Sequence, residues 1–241
     1  MYRVHGTCTL YGCQVAAERL SRATVAETAL RLGDEQGLEA VTIRRLAQEL
    51  GVTPMALYWH FKNKEELFLG VVDHALADVR ADRSAADPWP VQLRSMVESL
   101  VEAMRRHPIL PDLLHQSDKA RANSFSRATE DVLVLLTQAG FTPQEGYWIG
   151  SHLLHGVIGL VHAQVETPPR NGGWEVNEWR RMRRIELECL PMDQFPMMVQ
   201  IGATYAAEPD PERYYTFGVD LLMAGVESMA RGRSAADPVS S

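Results

Sequence analysis

The feature that most constrains this chain is the way capping residues cut residues 21–67 into short helical pieces. Ser21 stands just before a stretch in which Val25, Ala29 and Leu32 recur at helical spacing, with Ala26 and Gly33 widening the stripe. Gly37 ends that piece. Thr42 opens a second, with Ile43, Leu46, Ala47 and Leu50 on one side, and Gly51 stops it. Thr53 caps a third, with Pro54 at the first helical position, where a missing N–H costs nothing. Asn63 caps a fourth, and Glu66 three residues on completes a variant of the capping box. No alternating apolar–polar pattern appears anywhere in the chain, so the expected fold is all-α.

The third piece is the odd one. It runs from Pro54 to about Phe61, and "LYWHFKNK" sets four ring-bearing residues directly against a burst of charge. Two turns of helix are not stable alone, so packing must hold them. Leu57 and Phe61, four apart, suit that inner side. Tyr58 and His60 then lean outward, where a phenol and an imidazole can donate to phosphate oxygens. Lys64 adds its charge to the positive end of the next helix, an anion-binding arrangement. Two short helices joined by Gly51-Val52 have the composition of a helix-turn-helix, whose second helix enters the major groove. The expected DNA-binding domain covers residues 21–80, with the helix-turn-helix at 42–61.

Charge supports a local interface only. The net charge is −7, so no global positive field draws the chain to nucleic acid. Between Thr42 and Lys64, however, Arg44, Arg45, Lys62 and Lys64 face Glu49 alone. With 46% hydrophobic residues in 241, there is material for a second domain. "RSAADPWP", residues 83–90, reads as the junction, and amphipathic segments follow over residues 88–231. Residues 1–20 read as an N-terminal arm and 232–241 as a disordered tail. Three cysteines show neither a disulfide framework nor a zinc spacing, and no apolar run spans a membrane. A reduced, cytoplasmic protein is expected, with no membrane partner.

"AVTIRRLAQELGVTPMALYWHFKNKEEL" strongly resembles the helix-turn-helix signature of the tetracycline-repressor (TetR) family of transcriptional regulators. The match runs through Thr42, Leu46-Ala47, Gly51-Val52, Leu57-Tyr58, His60-Phe61, Lys64 and Leu67. "QAGFTPQEG" and "FGVDLLMAGVE" are similar to the regulatory domain of the tetracycline-repressor branch. The resemblance implies that Thr42 holds phosphate and that Arg44 reaches a base. It implies that Thr53, Pro54, Met55 and Ala56 form the tip in the groove, while Tyr58, His60 and Lys64 clamp phosphates. Trp59 is open between packing and contact, and Arg45 is assigned to the solvated face.

For the second domain the resemblance implies dimerisation and a small-molecule pocket. Candidate pocket residues are Met96, Leu100, His107, Val132, Trp148, His152 and His155. Their apolar balance points to a larger, flatter or greasier effector than tetracycline. Candidate dimer residues are Gly156, Gly159, Gly218, Leu221, Leu222, Gly225 and Met229, although periodicity alone fits an intramolecular core nearly as well. His152, His155 and His162 share one helix side, but no carboxylate or cysteine completes a metal set, so pocket or core histidines are the better reading. No cofactor is expected. "RRMRR", residues 180–184, has acidic neighbours and reads as a helix surface laced with ion pairs. The function that follows is a homodimeric, ligand-responsive regulator, most simply a repressor, on a palindromic operator. An activator or an effector-independent architectural DNA-binding protein are the alternatives; no nucleophile–base pair or phosphate loop supports an enzyme.

Overall fold

The computed structural model describes residues 20–82, 86–162, 173 and 175–236, and side chains up to residue 233. Cys8, Cys13, the arm up to residue 19, residues 83–85 of the junction and residues 237–241 of the tail lie outside that set. Among the described residues every regular element is helical. In chain order these are α1 (Arg22–Gln36), α2 (Ile43–Glu49), α3 (Pro54–Tyr58), α4 (Lys64–Ala75), α5 (Trp89–Arg106), α6 (Leu110–Gln116), α7 (Asn123–Gln138), α8 (Pro143–His162), α9 (Val176–Glu188), α10 (Pro196–Thr204) and α11 (Pro211–Ala236). The last helix continues five residues past the expected boundary at 231, so residues 232–236 are helical where a disordered tail is expected.

The caps act as their chemistry dictates. Ser21 Oγ accepts the Thr24 N–H at 3.0 Å, Thr42 Oγ1 that of Arg45 at 3.2 Å, and Thr53 Oγ1 that of Ala56 at 3.3 Å. Asn63 Oδ1 accepts from Glu66 N–H at 2.8 Å. Glu66 reaches back to the N–H of Lys62 at 3.0 Å, one residue earlier than a standard capping box requires. Gly51 turns between α2 and α3 with φ 67°, a region open to glycine at little cost. Leu57 and Phe61 are fully buried, so the short α3 takes its footing from the core of α1, α2 and α4.

The α1–α4 unit is joined to the rest by carboxylates that satisfy backbone donors. On α1, Asp34 accepts from His107 Nδ1 at 2.8 Å and from the Ile109 N–H at 3.2 Å. Gly33 lies so close to this turn that an added Cβ would collide with Ile109 Cδ1. On α4, Asp73 accepts the N–H and hydroxyl of Ser124 at the start of α7. Asp131, buried in α7, accepts the N–H of Ala81 at 3.0 Å, pinning the chain as it leaves the first unit.

Helices α5, α7, α8 and α11 pack as a bundle around Leu93, Leu136, Val157 and Met223. Helices α9 and α10 pack chiefly on each other. Within "RRMRR", Arg183–Glu186 and Arg184–Glu188 are the expected surface pairs. Arg180 departs from that reading: it is buried, donates to the Ala207 carbonyl at 2.7 Å, and lies 5.2 Å from the Tyr205 ring centroid. Among the described residues no helix is long and apolar enough to cross a membrane.

Candidate nucleic-acid interface and ligand cavity

The exposed end of the first unit is built by α2, α3 and the N-terminus of α4. Thr53, Pro54 and Met55 project at the tip of α3, with Ala56 half-buried behind them. Tyr58 is exposed and Trp59 stands 85% exposed, so Trp59 is not packed into the core. His60 is half-buried, and its carbonyl accepts from Arg22 Nη1 at 2.7 Å. Lys64 opens α4, with its Nζ 5.0 Å from the Phe68 ring centroid.

The charges divide cleanly. Arg45 pairs with Glu49 at 2.9 Å, and Glu49 also meets Arg31 at 3.4 Å. Glu49, the one acid between Thr42 and Lys64, is thereby engaged along the side of α2. Glu65 at the start of α4 pairs with Arg121, and Glu66 accepts the Lys62 N–H. Among the described residues Arg44, Lys62 and Lys64 have no ion-pair partner, and all three are exposed. Thr42 spends its hydroxyl on the α2 cap and keeps its exposed position beside Arg44. A protein of negative net charge therefore presents one face of uncompensated cations around a protruding helix tip, the arrangement a polyanion requires.

In the second unit a cavity of about 330 Å³ opens between α5, α7 and α8. Met96, Leu100, Val132 and His155 all lie on its wall, with Phe125, Thr129, Tyr147 and Ser151 that the sequence pattern did not single out. Ser117, Asp118, Lys119 and Ala120, between α6 and α7, form a polar rim. Three expected lining residues lie elsewhere. His107 terminates α5 and turns to Asp34. Trp148 and His152 sit on the outward side of α8, where Trp148 is 54% exposed and His152 Nδ1 bonds the Trp148 carbonyl at 2.7 Å. The reason is helical phase: positions 147, 151, 154 and 155 face the cavity, and 148 and 152 do not. Among the described residues no cluster of three metal-ligating side chains occurs.

The expected dimer residues also separate into two sets. A Cβ at Gly156 would crowd Leu222, and one at Gly218 would collide with Leu160, so these three expected residues serve the internal α8–α11 seam. Gly159 and Gly225 have open space around them. Leu221 is 66% exposed, and Phe217 and Met229 are exposed on the same row of α11. Phe217, Leu221, Gly225 and Met229 at four-residue steps form an outward apolar stripe that no described residue covers.

The comparisons fit this architecture. Residues 25–71 match the model for bacterial regulatory proteins of the tetR family, and residues 83–230 match the tetracyclin repressor-like C-terminal domain. The chain belongs to the TetR family. The HTH-type transcriptional repressor DrrR1 of Streptomyces coeruleorubidus is 28% identical over 88% of this chain and 80% of its own. Tetracycline repressor protein class D of Escherichia coli is 26% identical over 87% and 90%. Among solved structures, the TetR family protein ActR of Streptomyces coelicolor in complex with actinorhodin has 26% identity and a TM-score of 0.69, covering 88% of this chain and 98% of its own. The all-α fold and the expectation of a DNA-binding transcriptional regulator are thus confirmed.

Proposed function

We propose that this protein is a repressor that binds a palindromic DNA operator as a homodimer and leaves it when a small molecule fills the cavity between α5, α7 and α8. Thr53 to Ala56 enter the major groove, Arg44 reads a base edge, and Thr42, Tyr58, Trp59, His60 and Lys64 meet the backbone. The outward stripe of α11, with Gly159 of α8, pairs two copies so that their recognition helices lie about 34–36 Å apart, one turn of B-DNA. Such a regulator works in the cytoplasm, and its cavity binds rather than transforms its occupant.

The observation that carries this reading is a shared segment. Residues 117–120 line the cavity, and the residues immediately after them are gripped by α4: Arg121 by Glu65, and Ser124 by Asp73. An occupant that displaces the rim displaces the DNA-binding unit with it. Its effect equals its difference in affinity for the two arrangements. The apolar bulk of Met96, Leu100, Val132 and Phe125 with a polar rim suits a flat, greasy effector carrying polar groups at one edge. That DrrR1 is a repressor and that ActR has been solved with actinorhodin supports a repressor with such a ligand.

The test is enrichment of duplexes from a random pool by the purified protein, repeated with metabolite extracts. A palindromic consensus whose binding is abolished by one extract fraction is the expected result. Binding of all duplexes alike would sink the reading in favour of an architectural DNA-binding protein.

A further inference from the structure

Arg22 lies outside the helix-turn-helix segment and carries no sequence signal of an interface role. It opens α1, is exposed, and lies 38 residues before the group it holds. Its Nη1 donates to the His60 carbonyl at 2.7 Å, and its guanidinium carbon stands 4.4 Å from the centroid of the Phe61 ring. The edge of that same ring lies against Gly70 of α4, where a Cβ would collide with Phe61 Cε1. Residues 60 and 61 are therefore held from two directions, by α1 and by α4.

These two residues follow directly on α3, and both their N–H groups bond the Leu57 carbonyl. Tyr58 and Trp59 precede them, and Lys62 and Lys64 follow. A helix of five residues cannot fix its own axis, so whatever holds its far end sets the tilt at which its tip meets a base pair. We infer that Arg22 is a positioning residue for sequence reading: through the His60 carbonyl and the Phe61 ring it sets the angle of the recognition helix. The guanidinium suits this because it offers a planar face to the ring and a rigid fork of donors to the carbonyl, neither of which an ammonium supplies. The role rests on the DNA-binding reading above.

The experiment uses the full chain, a duplex that the wild-type protein itself enriches from a random pool, and an equally long duplex of scrambled sequence. Affinities of wild type, R22A and R22K are measured for both duplexes across a salt series, alongside thermal melts. The expected result for R22A is a loss of roughly tenfold on the enriched duplex, the scale of one charge-assisted hydrogen bond, with the scrambled duplex unaffected. The slope of log affinity against log salt stays at the wild-type value, and R22K does not restore the discrimination. A slope reduced by about 0.9 in R22A and recovered in R22K would overturn the role, because Arg22 would then neutralise a phosphate directly. Equal losses on both duplexes, or an unchanged ratio between them, would overturn it as well. If the wild-type protein enriches no sequence at all, the DNA-binding reading fails first and this role falls with it.

Discussion

The carboxylate of Asp73, in the last turn of α4, accepts the backbone N–H of Ser124 at 2.8 Å and the Ser124 hydroxyl at 2.9 Å. Ser124 lies in the first turn of α7, where helical N–H groups have no intrahelical acceptor. A residue of the DNA-binding unit thus caps a helix of the effector-binding unit. Replacing it with alanine strands a buried donor, which costs about 1–3 kcal/mol. Asp73→Ala is expected to lose that much in urea denaturation, and Asp73→Asn, whose amide oxygen still accepts, to lose less. Equal stability of Asp73→Ala and wild type would show that the pairing contributes nothing to the joint.

Arg44 and Lys64 are both exposed cations without an ion-pair partner among the described residues, yet their positions differ. Lys64 sits at the N-terminus of α4, where unpaired helical N–H groups favour an anion. Lys64→Ala should weaken binding on all duplexes and lower the salt slope by about 0.9 for each phosphate that is no longer neutralised. Arg44→Ala should cost about 1–3 kcal/mol and relax preference at one base pair. Titrations of both variants against enriched and scrambled duplexes check this division, which identical behaviour would refute.

The small residues of α8 and α11 allow a sharp contrast. Leu221→Glu places charge on the exposed stripe and is expected to yield a folded monomer in sedimentation. Gly156→Leu strikes the internal seam at Leu222 and is expected to destabilise each protomer by about 1–3 kcal/mol through overpacking. A Leu221→Glu protein that remains dimeric would move the interface elsewhere.

Acid should loosen the end of α11. The Glu145 carboxyl is held below its ordinary range first by the Thr142 N–H, then by the Thr142 hydroxyl and Arg233. A carboxylate whose folded-state pKa is lowered stabilises the fold above its unfolded value and loses that contribution as pH falls through the lowered one. Melting temperature should therefore drop as pH falls from about 5 through the lowered value, and drop less in Glu145→Gln. The carboxyl is partly open to water, whose screening keeps the difference small. Parallel melts across that window are the measurement.

The interface was legible in the sequence because its parts are local. A cap, a proline and a glycine fix each helix within four residues, and Leu57 and Phe61 declare their inner face by spacing alone. The cavity was legible only by half. Met96 and Val132 follow from the family resemblance, but Trp148 and His152 needed the rotation of α8, which depends on the seam at Gly156 and Gly218. Asp34, Asp73, Asp131 and Arg22 left no local signal. Each acts on a backbone group 38 or more residues away, and such pairings become visible only once the helices are packed.

Trp59 stands in water at the crest of the recognition element. An indole left wet in the free protein is nonpolar area that operator binding, on the proposed reading, would dehydrate. Its covering would register as a negative heat-capacity change in titration calorimetry, a thermodynamic mark that phosphate neutralisation by lysines does not leave.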